Sequence, residues 1–371
     1  MDTQTFNYDI AKTLIPVNAM SSAHLSELLP HCEVEYVFKG NEIFERGCYK
    51  REHVYVLHGE VELENSAGSV EKLSLQSSMN PLSHHFPRQY TARATSDCSI
   101  VRINSEKLDR LLTWSQIADY LLLDISSQRD LDEDMHWMTT VLKSNLFHKV
   151  PPTNVQKIFS RLTPLLVSSE EVILRQGEIG DGCYFIKEGR AVVSQSPDGV
   201  KKPEPVASIQ EGRCFGEDAL VNDAVRNATV RMTSNGVLMH LRKRDFIDLL
   251  KEPEVATITR EDFEKNSADY VCIDVRTDAE YSEGHLDSSA NIPLNLLRLK
   301  TRQLNSERSY LIYCDTGRRS KAAAWLLSEQ GFKAFALDGG LDGKPNQKSR
   351  ADNVLYFQDY VLRNGMAVAG Q

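Results

Sequence analysis

The sequence predicts a multidomain chain of α+β and α/β class: two β-roll (jelly-roll-like) domains, then an α/β domain with a parallel sheet. Two observations predict the rolls. From Val34 onward, short β-prone runs alternate with turn glycines, the pattern of a small roll or barrel. The text also repeats: Gly47 and Gly59 match Gly177 and Gly189 at an offset of 130, and Arg88, Thr91, Arg93 and Thr95 match Arg226, Thr229, Arg231 and Thr233 at 138. A third observation, strand–helix–strand alternation after Ile258, predicts the parallel sheet. The boundaries fall at residues 1–140 (first roll and helical linker), 141–252, 253–345, and a tail, 346–371.

Composition narrows the function class. With 371 residues the chain has length for two or three cores, and a net charge of −9 argues against binding DNA. No apolar run approaches the roughly 18 residues of a membrane span. The first residues lack the basic and apolar regions of a signal peptide. Seven cysteines stand singly, with no Cys-x-x-Cys, so reduced thiols in a cytoplasmic protein without a metal site are expected.

In chain order, residues 8 to 29 read as short helices broken by Pro16. Val37, Ile43–Phe44, Val54–Leu57 and Val61–Leu63 read as strands. Leu108, Leu111, Leu112, Ile117, Leu121, Leu122 and Ile125 follow helical spacing. That helix packs on its own roll or forms a homodimer seam, and the first is favoured. In the second copy, Gly212 to Thr233 holds a cassette suited to a small cyclic phosphodiester. Glu217 accepts hydrogen bonds from a ribose hydroxyl, and the Arg226 fork matches two phosphate oxygens. Ala219 and Leu220 leave room for backbone N–H groups to face the same anion. The first copy keeps Arg88 but has Ser77-Ser78-Met79 opposite Phe215-Gly216-Glu217. It lacks the carboxylate; Arg88 binds another anion or is a surface arginine, and the second is favoured.

Residues 142 to 250 resemble the cyclic nucleotide-binding domain family, on Gly177, Gly180-Asp181, Tyr184-Phe185-Ile186, Gly189 and the cassette from Phe215 to Thr229. Residues 10 to 115 resemble it as a degenerate copy. The resemblance implies a cyclic AMP or cyclic GMP site formed by Gly216, Glu217, Ala219, Arg226, Asn227 and Ala228. Glu217 would take the ribose 2′-hydroxyl and Arg226 the phosphate, with a lean to cyclic AMP. Val225 stands where the family often has proline, and Asp218 where an apolar residue is usual. The helix at 243–250 is short, and no DNA-reading helix pair follows, which disfavours a transcription factor.

Beyond it, Tyr270–Val275, Ser309–Cys314 and Lys333–Leu337 read as strands, and Ala322–Gln330 as a helix ended by Gly331. Cys314 sits between a strand and a helix start. The loop to Ser320 can curl N–H groups around its sulfur, and Arg318 and Arg319 favour thiolate. Residues 255 to 343 resemble the rhodanese family of sulfurtransferases, on Ile273-Asp274-Val275-Arg276, Glu280-Tyr281, Gly284-His285-Leu286, Asn291-Ile292-Pro293-Leu294, the Cys314 loop and Leu337-Asp338-Gly339-Gly340. The resemblance implies that Cys314 carries sulfane sulfur as a persulfide. Arg319 and Arg318 would steer a small anionic donor such as thiosulfate, and a thiol acceptor would follow. Asp274, Arg276 and His285 read as supports. Related cysteine phosphatases place arginine six residues after the cysteine; here that position is Ser320, and the smaller loop suits sulfur.

The sequence thus predicts a cytoplasmic cyclic nucleotide-responsive protein whose rhodanese domain is gated by the nucleotide. The competing class is a non-catalytic signalling scaffold. The tail is expected to form a short helix.

Overall fold

The computed structural model describes residues 6–74, 79–82, 86–126, 150–151, 154–196, 203–251, 253–342 and 358–370. They cluster into two compact units, Met1–Tyr120 with Val255–Gln371, and Leu121–Glu254.

The first unit begins with two short helices, α1 (Tyr8–Ala11) and α2 (Ser22–Leu28). The Asn7 and Ser21 side chains cap them by accepting from the N–H groups of Ile10 and His24. Seven strands follow: β1 (Glu33–Val37), β2 (Glu42–Phe44), β3 (Glu52–His58), β4 (Glu60–Glu64), β5 (Val70–Ser74), β6 (Thr91–Ala94) and β7 (Cys98–Asn104). They form antiparallel sheets of order β1-β7-β3 and β2-β6-β4-β5. Alternation sets the facing: Val61 and Leu63 of β4 point inward with Ala92 and Ala94 of β6. Helix α3 (Ser105–Ser126) leaves the roll. Leu108, Leu111 and Leu112 pack on Tyr55, Leu57, Val101 and Ile103, so this helix covers its own sheet.

The second unit contains α4 (Val155–Arg161), β8 (Thr163–Val167), β9 (Val172–Leu174), β10 (Gly182–Glu188), β11 (Arg190–Gln195), β12 (Glu204–Gln210), β13 (Cys214–Phe215), α5 (Glu217–Val221), β14 (Thr229–Met232), β15 (Gly236–Arg242) and α6 (Lys243–Leu249). Its sheets run β13-β10-β15-β8 and β12-β11-β14-β9. The strand order of the first roll recurs at the offsets of the sequence repeat: β1 to β8 is 130 residues (163 − 33) and β7 to β15 is 138 (236 − 98).

The rest of the first unit is α/β: β16 (Thr257–Ile258), α7 (Arg260–Lys265), β17 (Tyr270–Asp274), α8 (Asp278–Ser282), β18 (Ser289–Asn291), α9 (Leu297–Lys300), β19 (Ser309–Tyr313), α10 (Arg318–Glu329) and β20 (Lys333–Leu337). Its five strands are parallel in the order β16-β20-β19-β17-β18. Helix α10 starts four residues before the predicted Ala322, because Gly317 at φ +90° turns the chain straight from strand to helix.

Two expectations are corrected, and two others fall outside the described residues. The described part of the tail is a β-hairpin, β21 (Tyr360–Arg363) and β22 (Met366–Ala369), with Arg363 paired to Met366. Asn364 and Gly365 both have positive φ, which makes a two-residue turn and excludes the predicted helix there. Arg88 is not a surface residue but is 3% exposed. The helix expected between the two rolls is described only to Ser126, and Ser77-Ser78, opposite the cassette, lies outside the described residues.

Candidate functional site

The cassette is organised by Arg226. Gly216, at φ +88°, carries the chain from β13 into α5. A Cβ there would fall 2.9 Å from Arg226 Nη1 and 3.0 Å from Leu174 Cδ1, so no larger residue fits. Gly180 is nearly as close: its Cβ would lie 3.2 Å from the Arg226 guanidinium carbon. Arg226 is 3% exposed. It donates through Nη1 to Gly216 O at 2.5 Å, and through Nη2 to Gly182 O at 2.7 Å and Asp181 Oδ1 at 3.1 Å. Three of the five guanidinium N–H donors are thereby committed to protein oxygens. Glu217 heads α5 and is half-buried, Ala219 and Ala228 are buried, and Asn227 is exposed. Tyr184 stacks on Phe215 and His240, with centroids 5.5 and 4.7 Å apart.

Sequence reasoning missed the structural part of Arg226. Arg88 has the same part in the first roll, donating to Leu82 O at 2.7 Å and Glu52 O at 2.5 Å. The bonded carbonyls of Glu52 and Gly182 each begin a matching strand, β3 and β10. The Arg88 guanidinium lies 4.3 Å from the Phe44 ring centroid and 4.8 Å from that of Phe86. Burial pulls its pKa down to about 10. Both arginines therefore staple a strand start to the loop before them, and in the second roll two N–H groups remain for a ligand anion. The donor set fits a cyclic phosphate.

The second site surrounds Cys314 at the end of β19. Its sulfur accepts from Gly317 N at 3.2 Å and Ser320 N at 3.4 Å, and lies 3.6 Å from Ser320 Oγ. The loop rests on Gly340. Leu341 N and Asp342 N donate to Cys314 O and Asp315 O, and a Cβ on Gly340 would collide with both oxygens. Arg276 is fully buried against Asp274, Asp315 and Gly284 O. His285 stacks on Tyr281 at 3.8 Å.

The electrostatics differ from the sequence expectation. Cys314 is fully buried, and its pKa is pushed up to about 11, first by burial and then by the Asp109 carboxylate, against the opposing effect of Arg319. The thiol form, not the thiolate, belongs to this state. Arg319 has both terminal nitrogens on Glu280 at 2.8 Å. Arg318, more open, faces Asp109 and Glu106. The sequence held no signal for Asp109, which lies about 200 residues upstream on α3.

Comparison with known proteins follows this geometry. Residues 165–253 match the cyclic nucleotide-binding domain family, and residues 259–343 match the rhodanese-like domain family. The chain thus contains one domain of each kind. Residues 10 to 115 match neither model, so the tandem pair of nucleotide-binding domains is not among these matches. The chain is 28% identical over 66% of its length to a cAMP-dependent protein kinase regulatory subunit of Mucor circinelloides, covering 51% of that protein. It is 31% identical over 34% of its length to that of Schizosaccharomyces pombe, covering 31%. It is 26% identical over 47% of its length to cGMP-dependent protein kinase 2 of Mus musculus, covering 23%. The chain therefore spans about half or less of these relatives. No described helix is long and apolar enough to cross a membrane.

Proposed function

We propose that this is a cytoplasmic cyclic nucleotide-responsive sulfurtransferase, in which cyclic AMP at Arg226 and Glu217 gates sulfur transfer at Cys314. The observation that carries the catalytic reading is the Cys314 sulfur held by the N–H groups of Gly317 and Ser320 at a strand-to-helix turn. These N–H groups stabilise negative charge on sulfur. In the reaction, deprotonated Cys314 attacks the outer sulfur of thiosulfate. The donor S–S bond breaks, sulfite leaves with the electron pair, and Cys314 keeps a persulfide. A thiol or cyanide acceptor attacks the outer persulfide sulfur and returns the thiolate. The first roll, whose sequence has Ser77-Ser78-Met79 where the second has Phe215-Gly216-Glu217, is read as a degenerate member of the same family.

Calorimetry with cyclic AMP and cyclic GMP tests the sensor. Binding is expected at Glu217, so Glu217→Ala should lose tenfold or more in affinity, about 1.4 kcal/mol. Arg226→Glu should abolish binding. Glu217→Ala is the cleaner probe, since Arg226 also holds two carbonyls. No heat with either nucleotide would sink the sensor. Thiosulfate-to-cyanide transfer that survives Cys314→Ser would remove the nucleophile, and equal turnover with and without nucleotide would remove the gate. The second reading, a nucleotide-dependent scaffold, is favoured by the complete burial of Cys314.

A further inference from the structure

One carboxylate from the first roll reaches into the Cys314 loop. Asp109, on α3, is 5% exposed. Its Oδ2 accepts from Thr316 Oγ1 at 2.5 Å and lies 3.5 Å from Arg318 Nε, while Oδ1 lies 3.4 Å from Arg319 Nε. Both Nε atoms and Oδ1 are buried, and none has a hydrogen-bond partner. Three donors from one loop thus converge on a two-oxygen group that satisfies one of them. A sulfonate end, with three tetrahedral oxygens, offers an acceptor to each. A further contact holds α3 in place, Tyr120 Oη accepting from Gln330 Nε2 at 3.2 Å.

We infer that Thr316, Arg318 and Arg319 form an oxyanion subsite for a thiosulfonate-type donor, and that Asp109 is its built-in occupant, a tethered competitor supplied by the first roll. This rests on reading Cys314 as the sulfur carrier. With Asp109 seated, the donor's anionic end has no place, and the carboxyl groups of Asp109 and Asp315 face the loop arginines. With α3 withdrawn, the two arginine Nε atoms and the Thr316 hydroxyl are released together, and the sulfur loses its most unfavourable neighbouring charge. The degenerate roll then has a task that needs no ligand of its own.

The test uses the full chain and two variants, Asp109→Asn and Thr316→Val, which loosen the contact from either side. Iodoacetamide labelling of Cys314 is followed by peptide mass spectrometry, with Cys272, buried in the same sheet, as the internal reference. The ratio of Cys314 to Cys272 labelling should rise on the order of tenfold in both variants at neutral pH. Millimolar thiosulfate should slow Cys314 labelling in Asp109→Asn, and adding Arg318→Ala should remove that protection. A ratio unchanged in both variants overturns the inference. So does wild-type thiosulfate turnover equal to that of Asp109→Asn, a result that leaves the sulfurtransferase reading standing. Faster labelling with thiosulfate protection, but no persulfide mass on Cys314, upholds the subsite and its plug and removes the sulfurtransferase reading instead.

Discussion

Arg319 divides its donors between two tasks: its terminal nitrogens are held by Glu280, and its Nε faces Asp109. Two hydrogen bonds of 2.8 Å tie its terminal nitrogens to Glu280, and the pair is nearly closed to solvent. Glu280 also accepts from Thr277 N and Oγ1, closing the capping box of α8. Neutralising this carboxylate leaves a buried cation without its main partner, while a glutamine can still serve the capping box. Glu280→Gln should therefore cost about 3–5 kcal/mol of stability, read from urea midpoints at constant slope. A loss below about 1 kcal/mol would free the terminal nitrogens as well for the substrate role expected from the sequence. The loop itself was legible as Cys314, Gly317 and two arginines. Which of their donors stay available was not, since Glu280 and Asp109 reach the loop only through the fold.

At the scale of elements, the clearest lesson lies in the C-terminal hairpin. The apolar run before it pointed to a helix, yet Asn364-Gly365 is the strongest short-range signal for a two-residue hairpin turn. The dipeptide outweighed the periodicity because both turn residues need positive φ, which asparagine and glycine tolerate best. The turn is also packed. A Cβ on Gly365 would stand 2.6 Å from Asn305 Cβ and 2.8 Å from Tyr310 Oη, and Gly365 N donates to Gln303 O. Gly365→Ala should thus cost about 1–3 kcal/mol, seen as a lower melting temperature. An unchanged melting temperature would mean that the hairpin lies loose from the sheet. The strands β17, β19 and β20, by contrast, were readable from their apolar runs, because a parallel strand buried on both faces has no alternation to misread.

At the scale of the whole molecule, the recurrence of one strand order is the organising observation. Strand order and spacing recur, and each roll keeps a buried arginine on the carbonyl that begins its third strand. The sequence showed this repeat through its glycines and the shared Arg-x-x-Thr spacing, but not what the first copy does. Helix α3 answers in part: it carries Asp109 into the Cys314 loop. The two arginines should consequently separate in solution. Arg88 has its donors on carbonyls and its faces on Phe44 and Phe86, so Arg88→Leu should lower the unfolding midpoint by about 1–3 kcal/mol through unpaired carbonyls. It should leave calorimetric stoichiometry at about one nucleotide per chain, because only the second roll pairs the arginine with Gly216 and Glu217. Two sites per chain in the wild type, falling to one in Arg88→Leu, would make the first roll a sensor in its own right. The plug at Asp109 would then answer to a ligand in the roll that carries it.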